Sequence, residues 1–362
     1  MKKALIAMSG GVDSSVAAFL TKSDGYECIG ATMRLFDNED VGIPSEKTCC
    51  SLADVDDARS VAFTLGIPYY VLNFTDKFEE TVIDKFVYCY ENGLTPNPCI
   101  DCNRYLKFEK LYQRAKEIGY DYVVTGHYAR IVFDDESGKF LLKKAVDDTK
   151  DQSYVLYSLT QDQLAHTLFP LGGLKKTEVR KITEQNGFVN AKKHDSQDIC
   201  FVQNQTYAQL IEARTKKKYV EGNFIDVHGN VLGKHKGIIR YTVGQRKGLG
   251  LSFSEPMFVK DVNPADNTVT LAKETELYTD TVFVNDVNLI SVDNIDKPMR
   301  VTAKVRYRGK ESPATVIQTK ADELKIVFDS PERAVTRGQA LVLYDGDTVV
   351  GGGTIYKSLL NG

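Results

Sequence analysis

A glycine-rich turn between the first strand and the first helix constrains the fold of this chain more than any other feature. Residues 4–8, Ala-Leu-Ile-Ala-Met, form an apolar run typical of a buried parallel strand, and residues 14–20 begin an amphipathic helix. Between them, Gly10 and Gly11 allow the close approach and unusual backbone angles of a loop whose N–H groups bind an anion. The positive end of the following helix favours the same ligand. The sequence therefore predicts an α/β sheet with an anion site at its edge.

Strand-like and helix-like runs alternate through the first 200 residues, which predicts a doubly wound parallel sheet with helices on both faces. The predicted strands are residues 26–33, 69–72 and 122–125, and the predicted helices are residues 52–65, 77–90, 103–118 and 176–186. Gly66, Gly119 and Gly187 follow three of these helices in the position of a C-terminal cap. Ligands of such sheets bind at the carboxyl ends of the strands, where the glycine-rich turn lies.

The pattern changes near residue 205. Runs of alternating polarity at residues 268–271, 301–307 and 340–343 are separated by turn signals such as Asp226-Val-His-Gly-Asn230, which predicts antiparallel β structure. We therefore predict three domains. Residues 1–204 form the parallel sheet, residues 205–276 a small connecting domain, and residues 277–362 a C-terminal antiparallel β-barrel.

The turn after the first strand is a candidate nucleotide site. It lacks the lysine of the P-loop pattern G-x-x-x-x-G-K-[ST] and has the Ser-Gly-Gly-x-Asp-Ser order of enzymes that split ATP into AMP and pyrophosphate. An ordinary turn whose glycines serve only the backbone is the alternative, but the position directly after the first strand favours nucleotide binding. The candidate ATP-binding residues are Ala7, Met8, Ser9, Gly10, Gly11, Val12, Asp13 and Ser14, with Met33 and Gly126 at the ends of two other predicted strands.

Seven cysteines are unevenly spaced in a chain for which we expect neither a signal peptide nor a membrane span. This usage favours a reducing cytoplasm and cysteines kept for chemistry rather than for structural disulfides. Cys28 and Cys89 lie within apolar patterns, so we expect them to be inert core thiols.

Cys99 and Cys102 directly precede the predicted helix at residues 103–118, whose positive end favours the thiolate form of a cysteine. The pair could be half of a zinc site, but no second C-x-x-C or C-x-x-H completes one. Cys200 lies about a hundred residues later. An ATP-cleaving loop combined with separated reactive cysteines points to sulfur insertion. Adenylation turns a carbonyl oxygen into a leaving group, and a cysteine persulfide then attacks the carbon.

The net charge of −3 gives no sign of nucleic-acid binding, but two windows carry only basic charge. No acidic residue lies between Asp226 and Glu255, or between Asp296 and Glu311. The basic residues are Lys234, Lys236, Arg240, Arg246 and Lys247 in the first window, and Lys297, Arg300, Lys304, Arg306, Arg308 and Lys310 in the second. Such windows indicate surfaces that face phosphates, although solvated strands whose charges are balanced elsewhere in the fold would give the same pattern.

Several motifs together extend these interpretations over nearly the whole chain. They are Ala7-Met-Ser-Gly-Gly-Val-Asp-Ser14, Cys49-Cys50-Ser51 with Asp57-Ala-Arg59, Thr95-Pro-Asn-Pro98 with Cys102-Asn103, Thr125-Gly-His-Tyr128, Lys150-Asp-Gln-Ser-Tyr154, Ser196-Gln-Asp-Ile-Cys-Phe201 and Tyr241-Thr-Val-Gly-Gln-Arg-Lys-Gly248. With these motifs the chain resembles the bacterial tRNA-specific 2-thiouridylases, which are ATP pyrophosphatases with an adenine-nucleotide alpha-hydrolase-like domain.

The resemblance implies thiolation of carbon 2 of the wobble uridine in tRNAs for Lys, Glu and Gln, with ATP and Mg²⁺. It implies that Cys102 is the nucleophile, that Cys200 carries the persulfide, and that a Cys102–Cys200 disulfide forms during turnover. A cysteine desulfurase or a sulfur-relay protein would supply the sulfur in the cytoplasm. The implied tRNA contacts are Asn97, Pro98 and Cys99 around the target base, and His127, Lys150, Asp151, Gln152, Arg306, Tyr307, Arg308 and Gln339 elsewhere.

The chain departs from a common form of this family at two positions. Cys99 stands where the family often has Asp, and a thiol can replace a proton-handling carboxylate there only if it ionises. Arg337 stands where the family often has Pro. Cys99, Cys102 and Cys200 could alternatively bind three irons of a [4Fe–4S] cluster and leave the fourth iron open for sulfur.

Two other functions are compatible with parts of the sequence. An ATP pyrophosphatase that amidates or ligates a small molecule would share the loop and the sheet, but it would need neither paired thiols nor a basic β domain. A non-catalytic tRNA-binding protein would have no use for the complete nucleotide loop. A 4-thiouridine synthetase usually has an RNA-binding region before this loop, whereas only eight residues precede Ser9.

Overall fold

A computed structural model of the protein describes residues 1–36, 52–191, 193, 199–202 and 205–359. The predictions that involve Cys49, Cys50, Ser51 and residues 196–198 lie outside the described residues. The chain divides into two compact units. Unit 1 comprises Met1–Val82, Pro98–Asn204 and Asp347–Val349, and unit 2 comprises Ile83–Asn97, Gln205–Gly346 and Val350–Gly362.

Strands and helices are numbered in chain order. The strands are β1 Lys3–Ala7, β2 Glu27–Arg34, β3 Tyr69–Asn73, β4 Tyr122–Val124, β5 Ala129–Asp134, β6 Lys139–Lys144, β7 Thr167–Leu168, β8 Gly222–Ile225, β9 Val231–His235, β10 Phe258–Asn263, β11 Thr268–Ala272, β12 Tyr278–Leu289, β13 Met299–Lys304, β14 Ser312–Lys320, β15 Glu323–Arg333, β16 Ala340–Asp345 and β17 Thr348–Leu359. The α-helices are α1 Val12–Ser23, α2 Leu52–Leu65, α3 Thr75–Phe78, α4 Asp84–Glu91, α5 Pro98–Asp101, α6 Leu111–Glu117, α7 Gln161–Ala165, α8 Lys176–Gln185 and α9 Tyr207–Thr215. Glu79–Ile83 and Cys102–Lys110 are π-helical, and Ser153–Leu156, Ile238–Arg240 and Glu274–Leu277 are short 3₁₀ helices.

A parallel sheet with strand order β3-β2-β1-β4-β7 forms the centre of unit 1. Ala4 and Ile6 of the central strand belong to a buried cluster that includes side chains of α1 and α2. Leu5 belongs to a different cluster, which includes Leu111 and Ala115 of α6. Because successive strand residues point to opposite faces, helices cover both faces of this sheet. The predicted doubly wound parallel sheet is therefore confirmed.

The helices of unit 1 follow the predicted pattern with one informative shift. Helix α2 has the predicted bounds, and Gly66, Gly119 and Gly187 have φ angles of +63°, +76° and +64° as C-terminal caps require. The helix predicted for residues 103–118 begins earlier, at Pro98, and runs through the π-helical segment into α6. Proline suits the first position of a helix, because its missing N–H would have no intrahelical partner there.

A hairpin that the periodicity did not predict lies between β4 and β7. Strands β5 and β6 pair antiparallel, and Gly138 closes the turn with a φ of +67°. Arg130 and Lys143 of the hairpin form ion pairs of 2.7 and 3.2 Å with Asp347, so a short part of the distant C-terminal sequence belongs to unit 1.

Unit 2 contains two antiparallel arrangements of strands, apart from one parallel pair. Strands β8 to β11 form a four-stranded sheet in the order β10-β11-β8-β9, in which β11 and β8 are the parallel pair. Strands β12 to β17 close into a six-stranded barrel, because β17 pairs with β16 on one side and with β12 on the other. Alternate residues of these strands, such as Val282 and Val284, fill the barrel core. Within the described residues, no helix is both long and apolar enough to span a membrane.

Candidate active site

Hydroxyl groups hold the turn after β1 in shape. Ser14 Oγ donates to the carbonyl of Gly11 at 3.0 Å and accepts from the backbone N–H of Ser9 at 3.2 Å. Ser15 Oγ donates to the same Gly11 carbonyl, also at 3.0 Å. The turn therefore reaches the N-terminus of α1 as an internally bonded loop. A helix N-terminus of this kind favours phosphate, because its first N–H groups lack intrahelical acceptors.

Two glycines let other backbone segments approach this loop. Gly10 has a φ of +73°, and a Cβ there would lie 2.3 Å from the carbonyl oxygen of Asp54. Gly126 follows β4, and a Cβ there would lie 2.8 Å from the carbonyl carbon of Asp13 and 2.9 Å from the nitrogen of Ser14. The structure thus places Gly126 directly against the loop, at the carboxyl end of a neighbouring strand.

The apolar members of the predicted ATP set have packing roles. Met8 is 2% exposed, and its sulfur packs against Gly30, where an added Cβ would lie 2.5 Å from the sulfur. Val12 is buried at the first position of α1, Ala7 ends β1 half-buried, and Met33 packs against the buried cluster around Leu5. The side chains of Met8 and Val12 therefore fill the core, and these two residues can contribute only their backbone groups to the loop.

The Asp13 carboxylate at the start of α1 is held by two residues that the motifs did not single out for this role. Lys176 Nζ donates to both carboxylate oxygens, at 2.7 and 2.8 Å, and Tyr128 Oη donates to one of them at 2.7 Å. Lys176 is the first residue of α8 and is 8% exposed. The lysine neutralises a carboxylate that would otherwise repel an anion at the loop.

A second polar cluster supports the loop from the side of α2. Asn190 Nδ2 donates to the Gly10 carbonyl at 3.0 Å and to Ser15 Oγ at 2.9 Å. Lys193 Nζ donates to the Gly10 carbonyl at 3.2 Å and forms ion pairs of 2.5 and 2.7 Å with Asp54 and Asp57. Burial opposes the charged form of Lys193, but its bonds to the two carboxylates outweigh this effect and raise its pKa.

The candidate cysteines are more accessible than the cysteines expected in the core. Cys99 is exposed, and Cys102 and Cys200 are half-buried. Cys28 is buried, and burial raises the pKa of its thiol to about 11, as expected for an inert core thiol. The placement of the C-x-x-C pair before a helix is wrong. Cys99 is the second residue of α5 and Cys102 is the first residue of the π-helical segment, because the helix already begins at Pro98.

We tested the cluster alternative against the arrangement of the possible ligands. Cys99, Cys102 and Cys200 are all among the described residues. Among those residues, no three or more His, Cys, Asp or Glu side chains lie close enough together to hold a metal ion. The cysteines present therefore do not fit a [4Fe–4S] cluster in this arrangement.

His127, a predicted tRNA contact, lies in the interior of unit 1. It is 7% exposed, its Nδ1 lies 2.6 Å from Thr125 Oγ1, and its ring packs between Phe108 and Phe169. Burial, with a smaller effect of Lys107, holds the pKa of His127 well below its ordinary value. The imidazole is therefore neutral near pH 7.

The predicted tRNA contacts at 150–152 form an ordered loop. Asp151 accepts hydrogen bonds from the N–H groups of Ala145 and Ser153, at 3.0 and 3.2 Å, and from Ser153 Oγ at 2.8 Å. Gln152 accepts from the N–H of Tyr128 at 2.9 Å. Asp151 and Gln152 thus hold the backbone around them, and Lys150 is half-buried beside them.

The turn between β13 and β14 carries the predicted contacts of the barrel. Arg306, Tyr307 and Arg308 are all exposed there. Two other basic residues of the windows form ion pairs, Arg240 with Glu212 at 2.5 Å and Arg300 with Asp329 at 2.6 Å. The exposed turn, with two arginines and a tyrosine, has the composition that suits phosphate and base contact.

Gln339, another predicted contact in unit 2, uses its side chain within the protein. Its Nε2 donates to the carbonyls of Thr95 and Pro96, at 2.8 and 3.2 Å. Asn97 and Gln339 are half-buried, and Pro98 is buried as the first residue of α5.

Sequence reasoning missed Lys176, Asn190 and Lys193 as parts of the site. They act on residues more than 130 positions earlier in the chain, so no local spacing connects them with the loop. The sequence did place Lys176 at the start of a predicted helix, but that position alone does not connect it with the loop.

Comparisons with known proteins show the family of the chain. Three family descriptions match successive parts of the chain, namely "tRNA methyl transferase HUP domain" over residues 2–204, "tRNA methyl transferase PRC-barrel domain" over residues 209–273 and "Aminomethyltransferase beta-barrel domain" over residues 279–355. The chain is 54% identical to the tRNA-specific 2-thiouridylase MnmA of Clostridioides difficile (strain 630), over 99% of both chains. It is 52% identical to the protein of the same name from Acetivibrio thermocellus, over 98% of this chain and 99% of that one. For Lachnoclostridium phytofermentans the identity is 51%, over 99% of this chain and 100% of its relative. This chain belongs to the tRNA-specific 2-thiouridylase family.

Proposed function

We propose that this protein is an ATP-dependent tRNA-uridine 2-sulfurtransferase that converts the wobble uridine of tRNAs for Lys, Glu and Gln to 2-thiouridine. The carrying observation is the match to 2-thiouridylases over 99% of both chains at 54% identity. The internally bonded loop at the N-terminus of α1 supports it, because a phosphate-binding loop is what adenylation requires.

In the proposed reaction, ATP adenylates the oxygen on carbon 2 of the uridine and releases pyrophosphate. The terminal sulfur of a persulfide on Cys200 attacks that carbon, and AMP leaves with the oxygen. The Cys102 thiolate then attacks the Cys200 sulfur, which leaves the transferred sulfur on the base and forms a Cys102–Cys200 disulfide. The accessibility of both thiols, which are half-buried, supports these roles.

We propose that Ala7–Ser14, Met33 and Gly126 bind ATP, with the sequence ranges 1–204, 205–276 and 277–362 acting as catalytic, connecting and barrel domains. Asn97, Pro98 and Cys99 would border the base, and Lys150, Asp151, Gln152, Arg306, Tyr307, Arg308 and Gln339 would face the tRNA. The buried position of His127 favours a supporting role, in which its ring holds the chain next to Gly126.

Mg²⁺ would neutralise the phosphates of bound ATP. Magnesium in nucleotide sites is usually held by one or two carboxylates together with the phosphates, and Asp13 is the carboxylate at the loop. We propose no step through an iron–sulfur cluster, since the three cysteines do not fit one. A cysteine desulfurase or a relay protein would deliver the sulfur, in the cytoplasm.

The test uses the full chain with ATP, Mg²⁺, a persulfide source and an unmodified tRNA-Lys transcript. Digestion of the tRNA followed by mass spectrometry measures 2-thiouridine, and AMP and pyrophosphate are measured in parallel. Cys102→Ser and Cys200→Ser are compared with wild type. Cys28→Ala is the matched control, because it removes a thiol that is buried in β2.

We expect 2-thiouridine with wild type and with Cys28→Ala, and its loss in both serine variants. Thiolation that survives either serine substitution would refute the two-cysteine roles. Wild-type protein that releases pyrophosphate with no thiouridine would refute the substrate assignment and favour a ligase. Activity that appears only after iron and sulfide are restored would contradict the cluster-free reaction.

A further inference from the structure

The five residues from Gly93 to Asn97 directly precede the helix that carries Cys99 and Cys102. They belong to unit 2, where they connect the end of α4 to Pro98. No helix or strand is assigned to them, and the N–H groups of Gly93 and Leu94 bond to the Tyr90 and Cys89 carbonyls at the end of α4. Two other parts of unit 2 also hold the segment: the turn at residues 336–339 before β16, and strand β10.

The turn before β16 bonds to the backbone of this segment. The carbonyl of Arg337 accepts from the N–H of Thr95 at 2.9 Å. Gln339 Nε2 donates to the Thr95 carbonyl at 2.8 Å and to the Pro96 carbonyl at 3.2 Å. Gly338, with a φ of +89°, lets the two chains meet, because a Cβ there would lie 3.0 Å from the nitrogen of Thr95.

Strand β10 holds the same segment from its other end. Gly93 has a φ of +66°, and a Cβ there would lie 2.5 Å from the carbonyl oxygen of Val262. Arg337 Nη2 forms an ion pair of 2.9 Å with Asp261 and donates to the Val262 carbonyl at 3.4 Å. The side chain of Arg337 therefore links the turn to β10, while its backbone carbonyl accepts from Thr95 of the segment.

We propose that Arg337 and Gln339 are positioning residues for sulfur transfer. They fix the backbone of Thr95 and Pro96, and so fix where Asn97 stands, the residue that directly precedes the cysteine-bearing helix in the chain. The Gln339 amide donates to two carbonyls of the segment, so its side chain holds the segment in addition to the tRNA contact proposed above. This inference rests on the proposed function. Positioning matters here because a misplacement of about 1 Å at a reacting centre can cost roughly a hundredfold in rate.

The test compares Arg337→Ala with Arg333→Ala in the full chain. Arg333 forms an ion pair of the same length, 2.9 Å, with Glu274, and its guanidinium also lies 4.9 Å from the ring centroid of Phe258 in β10, so Arg333→Ala removes a matched ion pair together with a contact to β10. Hydrogen–deuterium exchange of the peptide at 93–97 gives a readout that does not depend on activity. We expect faster exchange at Thr95 in Arg337→Ala only, because the variant loses the side-chain link between the turn and β10 and so loosens the backbone carbonyl to which the Thr95 N–H bonds.

Thiolation kinetics with saturating ATP give the second readout. We expect kcat to fall roughly tenfold in Arg337→Ala, with the Kd for tRNA unchanged and with Arg333→Ala like wild type. Arg337→Lys, which keeps a cation for Asp261, should recover most of the rate. Asp261→Asn breaks the same ion pair from the other side and should give the same fall in kcat and the same faster exchange. It therefore tests the inference even if Arg337→Ala folds poorly.

Three outcomes would overturn the inference. The first is equal behaviour of Arg337→Ala and Arg333→Ala in both readouts. The second is weaker tRNA binding at an unchanged kcat, which would make Arg337 a direct tRNA contact. The third is a slower reaction with unchanged exchange at residues 93–97. Absence of thiolation in wild type would instead refute the proposed function, and the exchange result would still test the contact.

Discussion

Replacing Gly126 by alanine tests whether the loop after β1 is the ATP site. The added Cβ would lie 2.8 Å from the carbonyl carbon of Asp13 and 2.9 Å from the nitrogen of Ser14, and both are backbone atoms of the loop. Ordinary van der Waals contact needs about 3.4 Å or more, so one of the two segments must move by roughly 0.5 Å. Overpacking of this kind costs about 1–3 kcal/mol. If the loop binds ATP, this cost raises the KM for ATP by roughly 5- to 150-fold.

The assay is the initial rate of pyrophosphate release, measured with saturating tRNA over a range of ATP concentrations. Gly173→Ala is the control, because it adds the same methyl group in unit 1 at a position with no heavy atom within 4 Å. We expect Gly173→Ala to behave like wild type. A Gly126→Ala variant with a lowered Tm and an unchanged KM for ATP would mean that the loop is structural and that ATP binds elsewhere.

Two further predictions follow from buried ionisable groups. Lys176→Met should lower the free energy of unfolding by about 2 kcal/mol, because it removes the ammonium partner of the Asp13 carboxylate, which is 32% exposed and keeps the Tyr128 hydrogen bond. Urea unfolding measures this, and a loss that Lys176→Arg fails to reduce would contradict the ion-pair explanation. For His127, burial keeps the folded-state pKa well below that of the unfolded chain, so its contribution is complete above pH ~6.5 and declines as the pH falls, by at most about 1.4 kcal/mol per pH unit. His127→Gln should therefore lose about 1 kcal/mol less stability than wild type between about pH 7.5 and about pH 5.5, and equal losses would show that His127 protonates freely in the folded protein.

Local features of the nucleotide site were predictable because each has its own signal in sequence. The apolar run became β1, the glycines became a loop with a positive φ at Gly10, and α2 has the predicted bounds. Hydrophobic periodicity and the special conformations of glycine act over a few residues, so they can be recognised without knowledge of the fold. The signal for the helix start at Pro98 was also local, because proline suits the first position of a helix, but the predicted helix began five residues later, at residue 103.

Contacts between distant residues were not predictable in the same way. Lys176 pairs with Asp13 across 163 positions, and Gln339 bonds to Thr95 across 244. Residues 83–97 lie within the predicted first domain, residues 1–204, but they belong to unit 2 together with most of the C-terminal half of the chain. Such pairings depend on the packed fold, and helical or strand periodicity carries no information about them.

The charges around the loop explain why two lysines, Lys176 and Lys193, matter for a site that binds through backbone groups. Asp13, Asp54 and Asp57 bring three carboxylates close to the loop, and Lys176 and Lys193 bring two ammonium groups, so the formal charge of this set is −1. The N-terminus of α1 offers only about half a positive charge. This is less than the negative charge of the set, so the protein groups alone do not attract a triphosphate. A divalent cation that arrives with the nucleotide reverses the balance, which is the physical reason for the Mg²⁺ that we propose. Loss of either lysine would take the set to −2. Lys176→Met should therefore weaken ATP binding beyond any effect on folding, and more strongly at low ionic strength, where screening is least.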